Sequence, residues 1–259
     1  MAATIPLENT DLRSDLDVDY GTFDASAFTA KAFASRRSLA GVFDHTLLNP
    51  DATRQQVENL CAEAVHYRFA CVMVNPVWAS TAVSVLAGTE VHVGSPIGFP
   101  LGASLISTLR QEAAALVRLG AHELDMVLPI GQLKSGNYQA VSHAIHAAAN
   151  VCHHRDALLK VILETCLLTM EEKLRASEIA IRAGADFIKT STGFSTCGAT
   201  AADVALLRGV AGARCGIKAS GGIRTLGAVR ALLEAGANRI GSSASVAIVR
   251  ELGETGNRE

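Results

Sequence analysis

From Leu39 onward, the sequence alternates between short apolar stretches and longer stretches rich in Ala, Leu and Glu. Short apolar runs bounded by turn residues predict buried parallel strands, and the longer stretches between them predict helices. Eight predicted strands follow one another, at residues 40–43, 70–74, 91–95, 123–127, 158–163, 187–189, 215–218 and 239–241. Eight strand–helix units in about 220 residues are typical of a closed (β/α)8 barrel, or TIM barrel. A doubly wound open sheet is the alternative, but it usually has fewer strands.

The predicted helices have recognisable ends. They cover residues 54–67, 104–119, 138–153, 170–183, 202–210 and 226–234. Asp51 or Thr53 is suited to cap the first of them, and a glycine separates three of the helices from the next strand, at Gly120, Gly184 and Gly236.

Residues 1–37 form a polar, acidic extension that ends in one Ala-rich helix. No proline- or serine-rich linker follows, so we expect residues 38–259 to form a single α/β domain.

Composition excludes several classes of protein. Hydrophobic side chains make up 49% of the chain, enough for a large core, whereas a net charge of -2 and 5% aromatic residues argue against binding nucleic acid. The six cysteines are scattered without a C-x-x-C pair, which predicts free thiols in a reducing compartment. No apolar stretch is long enough to span a membrane, and the N-terminus lacks a signal-peptide pattern. We therefore expect a cytoplasmic protein.

Two lysines end neighbouring predicted strands, Lys189 the sixth and Lys218 the seventh. The active site of a (β/α)8 barrel lies at the C-terminal ends of its strands, so the two amines should meet there. Burial and mutual repulsion both disfavour the charged form, so we expect one lysine with a lowered pKa. A neutral lysine attacks carbonyl groups and forms a Schiff base. Ordinary lysines that reach solvent from strand ends are the alternative.

Charged side chains within other apolar strands need partners inside the barrel. Glu123 and Asp125 alternate along the fourth strand, and Lys160 lies in the fifth. Alternate residues of a strand face the same side, so both carboxylates should point inward. Because an unpaired buried charge is costly, we expect these side chains to pair with one another and with the two lysines. A structural ion-pair lattice without chemistry is the alternative.

Small residues follow the last two predicted strands. Gly221 and Gly222 come after the seventh strand and Ser242 and Ser243 after the eighth, each just before a helix. Backbone N–H groups and helix N-termini at these two places can bind phosphate. Tight loops that need small residues are the alternative. The sequence contains neither Gly-x-Gly-x-x-Gly nor the P-loop lysine pattern, which argues against a nucleotide-binding fold.

The histidines and cysteines do not have the spacing of a metal site. Four histidines lie along one predicted helix, too spread to converge on one ion, at His143, His146, His153 and His154. We therefore expect neither a metal nor a cofactor.

The motifs around the two lysines resemble those of the deoxyribose-phosphate aldolase family. The similarity covers roughly residues 39 to 252 and includes Asp-His-Thr at 44–46, Phe-Ile-Lys-Thr-Ser-Thr-Gly at 187–193 and Ile-Lys-Ala-Ser-Gly-Gly-Ile-Arg-Thr at 217–225. The resemblance implies a class I aldolase on a TIM barrel, without a metal. It also implies the reversible cleavage of 2-deoxy-D-ribose 5-phosphate to acetaldehyde and D-glyceraldehyde 3-phosphate.

The resemblance also implies roles for particular residues. Lys189 would form the Schiff base, Lys218 would keep it neutral and take part in proton transfer, and Asp125 would act as general acid and base through water. Substrate binding would involve Asp44, Thr46, Cys71, Lys160, Gly193, Gly221, Gly222, Ser242 and Ser243. For Cys71, a buried inert thiol is an equal alternative.

Two positions depart from the family pattern. Phe194 follows the Thr-Gly turn where some members have a lysine, and residues 254–259 lack the tyrosine with which some members reach the active site. These departures concern the phosphate contact and the proton step rather than the Schiff base. A Schiff-base lyase for another phosphosugar and a non-catalytic phosphosugar-binding barrel stay open as alternative functions, and a homodimer stays open as the assembly.

Overall fold

Eight parallel strands form a closed barrel in the computed structural model, which describes residues 21–255. The strands are β1 Phe43–Leu47, β2 Cys71–Val74, β3 His92–Ile97, β4 Glu123–Val127, β5 Leu158–Ile162, β6 Phe187–Lys189, β7 Gly216–Ser220 and β8 Arg239–Ser242. Each strand pairs with the next in the sequence, and β8 closes the barrel against β1 with Ile240 opposite Phe43. The predicted (β/α)8 fold is confirmed. Most of the acidic stretch predicted before the barrel lies outside the described residues.

Helices surround the barrel. They are α1 Ala25–Ala32, α2 Arg36–Ala40, α3 Arg54–Tyr67, α4 Ala79–Val85, α5 Ile106–Leu119, α6 Ile130–Lys134, α7 Tyr138–His153, α8 Met170–Arg182, α9 Ala201–Ala211, α10 Leu226–Glu234 and α11 Ser245–Thr255. Their apolar sides and the outer faces of the strands bury one continuous core, which includes Val57 of α3, Ile145 of α7 and Leu232 of α10. Within residues 21–255, no helix has both the length and the apolar character needed to cross a membrane.

Helix ends follow the sequence signals. Of the two candidate caps for α3, Thr53 is the one used: Gln56 N donates to its Oγ1 at 3.4 Å, and Thr53 N donates to Gln56 Oε1 at 2.8 Å. This reciprocal pair is a capping box, which satisfies two backbone donors at the helix start. Gly120, Gly184 and Gly236 have φ angles of 101°, 99° and 112°, in the left-handed region that favours glycine where a helix turns into a strand.

Three features differ from the prediction. Residues 25–37 contain two helices rather than one, because Ser35 caps a new helix by accepting from Ser38 N at 3.0 Å. That helix continues to Ala40, so the first strand begins at Phe43 and not at residue 40. The helices α4 and α6 were not predicted, since α4 is rich in Ser, Thr and Val and α6 has only five residues.

The two helices that precede the barrel pack against its last two helices. Helix α1 lies against α10, and α2 lies against α11.

Candidate active site

Lys189 and Lys218 lie side by side on two hydrogen-bonded strands. Lys189 is the last residue of β6, as predicted, and its Cα pairs with that of Lys218 in β7. Lys218 is the third residue of β7 rather than the last, because Ala219 and Ser220 extend the pairing with β8. Both lysine side chains are almost completely buried.

Asp125 of β4 joins the two lysines. Its Oδ2 atom accepts one hydrogen bond from Lys189 Nζ at 2.8 Å and another from Lys218 Nζ at 2.6 Å. Because both amines bind a single oxygen atom, they occupy the same part of the barrel interior. The structure thus brings together the three residues for which the resemblance implies catalytic roles.

The surroundings of Lys189 increase the fraction of its amine that is neutral. Burial lowers the pKa of Lys189 to about 8, against the attraction of the Asp125 carboxylate, and the positive charges of Lys218 and Lys160 act in the same direction as burial. An amine with this pKa is neutral in about a tenth of the molecules at pH 7, roughly 300 times more often than an ordinary lysine. Lys189 can therefore act as a nucleophile.

Lys160 continues the ion-pair network towards the N-terminal ends of the strands. Its Nζ atom lies 2.9 Å from Asp125 Oδ1 and 2.5 Å from Glu123 Oε2, so the two carboxylates do face inward as predicted. Arg239 Nη1 then links Glu123 and Asp44, at 3.3 and 2.6 Å. Arg239 was not among the predicted site residues. Alternate residues of a strand face the same side, so Arg239 shares a face of β8 with Gly241, which lines the cavity.

The cations of this network keep its carboxylates ionised. Burial would raise the pKa of Asp125, but Lys160, Lys189 and Lys218 hold it well below its usual range. In turn, the pKa of Lys160 lies well above its usual range, because the attraction of Asp125 and Glu123 exceeds the effect of burial. Lys160 is therefore a fixed cation, in contrast to Lys189.

A cavity of about 360 Å³ opens beside Lys189 at the C-terminal ends of the strands. Seven of the predicted site residues line it: Thr46, Lys189, Gly193, Gly221, Gly222, Ser242 and Ser243. Among its described lining residues there are two cations, Lys189 and Arg224, and no carboxylate, so the cavity suits an anion. A larger and mainly apolar groove of about 670 Å³ lies outside the barrel between α5 and α7, away from both lysines.

Five predicted site residues lie beneath the cavity rather than in its wall. They are Asp44, Cys71, Asp125, Lys160 and Lys218, all buried. Burial and the charges of Glu123 and Asp44 raise the pKa of Cys71 well above its usual range, so its thiol stays protonated. Direct substrate contact by Asp44, Cys71 and Lys160 stays a prediction.

The two turns predicted to bind phosphate meet at the cavity. Gly221 and Gly222 have φ angles of 91° and 75°, a left-handed conformation that leaves backbone N–H groups free of a covering side chain. Helix α10 follows this turn, and α11 begins shortly after Ser242 and Ser243. Arg224 also lines the cavity and was not singled out from the sequence, although it directly follows the Gly-Gly-Ile motif.

Glu164 holds a third turn in place. It is the second residue after β5, in a left-handed conformation with φ 56°, and it is buried. Its carboxylate accepts hydrogen bonds from Thr192 N, at 3.2 and 3.3 Å, and from the Thr192 hydroxyl. This fixes the backbone that leads into Gly193. This role was not predicted, because a contact between two loops has no local sequence signal.

Phe194 occupies the position at which some family members have a lysine. Its side chain is 53% exposed and its ring meets that of Phe99 edge to face, with 5.3 Å between the centroids. The cavity rim therefore has an aromatic pair at this point, and Arg224 supplies a cation elsewhere in the wall.

One cluster of described residues has the ligand types of a metal site. Oxygen and sulfur atoms of Asp44, Cys71 and Glu123 lie within 4.8 Å of one another. Lys160 and Arg239 already bind both carboxylates, so positive charge is supplied there by side chains. The expectation of a metal-free protein stays a prediction.

The fold and site define a (β/α)8 barrel with a buried amine of lowered pKa beside a cavity lined by two cationic side chains and glycine and serine turns. Comparison with known proteins gives the family. The family model described as DeoC/LacD family aldolase matches residues 39–251. Deoxyribose-phosphate aldolase from Geobacillus sp. (strain WCH70) is 50% identical over 220 residues, which cover 85% of this chain and 97% of that protein. Deoxyribose-phosphate aldolase from Thermoanaerobacter sp. (strain X514) is 51% identical over 215 residues, which cover 83% of this chain and 96% of that protein.

A solved structure agrees with these matches. The deoxyribose phosphate aldolase from Aeropyrum pernix, described as having a unique tetrameric structure, has a TM-score of 0.83 against this chain at 33% identity. The similarity covers 90% of this chain and 98% of that one. The chain therefore belongs to the DeoC/LacD family of aldolases, and the resemblance inferred from the lysine motifs is confirmed. It is an aldolase, a carbon–carbon lyase.

Proposed function

We propose that this protein reversibly cleaves 2-deoxy-D-ribose 5-phosphate to acetaldehyde and D-glyceraldehyde 3-phosphate through a Schiff base on Lys189. The observation that carries the proposal is the buried amine of Lys189, with a pKa of about 8, in the wall of a cavity that Arg224 and the glycine turn also line. The names of relatives about 50% identical to this chain support the same substrate.

In the proposed reaction, neutral Lys189 attacks the C1 aldehyde of the open-chain sugar, and loss of water leaves an iminium. Removal of the C3 hydroxyl proton then breaks the C2–C3 bond, and its electron pair moves into the iminium to form an enamine. Glyceraldehyde 3-phosphate leaves at this point. Protonation of the enamine at C2 and hydrolysis release acetaldehyde and restore Lys189.

Asp125 and Lys218 are proposed to move the protons. Oδ2 of Asp125 touches both amines, so a proton can pass between Lys189 and Lys218 through this oxygen. The pKa of Asp125 is held well below its usual range, so its carboxylate is ionised in the free site, and we propose that it accepts the proton directly or through water. General acid–base catalysis of this kind typically contributes about 100- to 10,000-fold in rate.

The glycine and serine turns are proposed to hold the 5-phosphate. Gly221, Gly222, Arg224 and Ser243 all line the cavity, and their backbone N–H groups and the Arg224 guanidinium are the proposed phosphate donors. Phosphate bound there would leave the aldehyde end of the sugar free to reach Lys189, which lines the same cavity.

Borohydride trapping tests the proposal. Incubation with acetaldehyde and sodium borohydride should attach a reduced two-carbon adduct to Lys189, detected by mass spectrometry of peptides. Lys189→Ala should lose both this adduct and the cleavage of deoxyribose 5-phosphate, whereas Lys134→Ala, at an exposed lysine, should retain both. Full-yield trapping in Lys189→Ala would refute the assignment of the Schiff base.

The same assays separate the alternatives. A non-catalytic phosphosugar-binding barrel would bind the sugar without forming an adduct, and a lyase for another phosphosugar would form the adduct but release little acetaldehyde from deoxyribose 5-phosphate. The cytoplasmic location and the homodimer stay predictions from the sequence.

A further inference from the structure

Cys166 and Cys197 differ from the other cysteines of the described chain in their accessibility. Cys166 is half-buried and Cys197 is exposed, whereas Cys61, Cys71, Cys152 and Cys215 are all buried. Burial is also the main cause that raises the pKa of each of those four thiols. The four buried cysteines are therefore protonated and inaccessible, and reactivity towards disulfides should be confined to the other two.

The surroundings of Cys166 stabilise a thiolate. Its sulfur lies 3.3 Å from Ser195 Oγ and 3.8 Å from Thr196 Oγ1, and the backbone of Cys197 forms a further hydrogen bond to it. Burial raises the pKa of Cys166, but these hydrogen bonds outweigh burial and the nearby Glu164, so the net shift is downward. The contact with its backbone also brings Cys197 next to the Cys166 sulfur.

The chain at Cys197 is packed directly on the proposed phosphate turn. Ala199 N donates to the carbonyl oxygen of Gly221 at 3.2 Å, and a Cβ atom added at Gly198 would lie only 2.0 Å from that oxygen. No side chain separates the two backbones here, so a displacement of Cys197 would be transmitted to Gly221.

We propose that Cys166 and Cys197 form an internal disulfide that links the turn after β5 to the loop after β6. The Cys166 thiolate attacks one sulfur of a low-molecular-weight disulfide such as oxidised glutathione, and one glutathione leaves as the thiolate. Cys197, after losing its proton, attacks the Cys166 sulfur, and the second glutathione leaves. In total, the two protein thiols lose two electrons and two protons. Oxidised glutathione gains these electrons and protons and becomes two molecules of reduced glutathione.

The disulfide should weaken binding of the phosphorylated substrate. Closing the bond restrains the two Cα atoms to within about 7 Å and turns the exposed side chain of Cys197 onto the sulfur of Cys166. Because Gly198, the next residue, is in contact with Gly221, we expect this change to reach the phosphate turn. This consequence rests on the proposed function, whereas formation of the disulfide does not.

Peptide mass spectrometry tests the site. The full-length protein is incubated with oxidised glutathione, alkylated and digested with trypsin. We expect the peptide of residues 161–173, which contains Cys166, to be linked to that of residues 190–208, which contains Cys197, with the loss of two hydrogen atoms and reversal by dithiothreitol. Each peptide holds one cysteine, so the linkage is unambiguous. Cys166→Ser and Cys197→Ser should each abolish the linked peptide, with circular dichroism as the check on folding.

A stable glutathione adduct on either cysteine without the linked peptide, no reaction, or a link to another cysteine would each overturn the proposed disulfide, whatever the protein catalyses. For the linked protein, we expect the KM for deoxyribose 5-phosphate to rise by about threefold while borohydride trapping of acetaldehyde on Lys189 is unchanged. An unchanged KM in fully linked protein would show that closing the disulfide does not alter the phosphate turn at Gly221.

Discussion

A single carboxylate oxygen determines how Lys189 and Lys218 can share one cavity. Oδ2 of Asp125 accepts from both amines, and Oδ1 is held by Lys160. Three amines around one carboxylate cannot all be charged without repulsion, and the pKa of Lys189 falls to about 8. Lys189 also borders the cavity, so a substrate can reach this amine of lowered pKa.

Lys218→Leu should raise the pKa of Lys189, because the positive charge of Lys218 contributes to lowering it. With a higher pKa, fewer Lys189 amines are neutral at pH 7, so adduct formation should slow by roughly tenfold and its rise with pH should move to higher pH. The measurement is the rate of borohydride-trapped acetaldehyde adduct between pH 6 and about 10. Arg239 still pairs with Asp44 in this variant, which favours a folded protein.

The matched control for this change is Lys134→Leu, at an exposed lysine of α6. It should leave the pH profile of adduct formation unaltered. If Lys218→Leu gave the same profile as the wild type, the positive charge of Lys218 would not be what keeps Lys189 neutral.

At the level of single elements, all eight strands were predicted but two short helices were not, whereas the bounds of the predicted long helices were the more accurate. The predicted bounds of α3, α7 and α10 agree with the structure, because each has a side-chain cap and an amphipathic pattern. The first strand was wrong: β1 contains Asp44-His45-Thr46, which the sequence analysis placed after the strand. Polar residues end a strand in most sequences, but here Asp44 is paired with Lys218 and Arg239 inside the barrel.

Thr53→Ala should reduce the free energy of unfolding by about 1 kcal/mol, because it removes the side-chain half of the capping box at the start of α3. Urea denaturation followed by circular dichroism measures the change. Asp51→Ala, at the other candidate position, provides the control and should have little effect. A larger loss for Asp51→Ala than for Thr53→Ala would mean that the cap is misassigned.

At the scale of the whole molecule, the barrel interior contains an ion-pair column. Charged side chains lead from Glu123 and Arg239 near the N-terminal ends of the strands, through Asp44, Asp125 and Lys160, to Lys189 at the cavity. A lysine or aspartate within an apolar strand is visible in a sequence, which is why much of this column could be predicted. Arg239 was missed because it begins its strand, where a charged residue is equally common on the surface.

The column should make Lys160 important for stability, beyond any part in catalysis. Lys160→Met leaves Asp125 and Glu123 without their shared cation in a buried site, and removing one partner of a buried ion pair typically costs about 3–5 kcal/mol. Lys134→Met removes a lysine paired with Glu172 in an exposed position, where a pair contributes about 0–1 kcal/mol. Urea denaturation of both variants at pH 7 gives the comparison. Equal, small losses would show that the interior carboxylates do not depend on Lys160, and the column would then be held chiefly by Arg239 and Lys218.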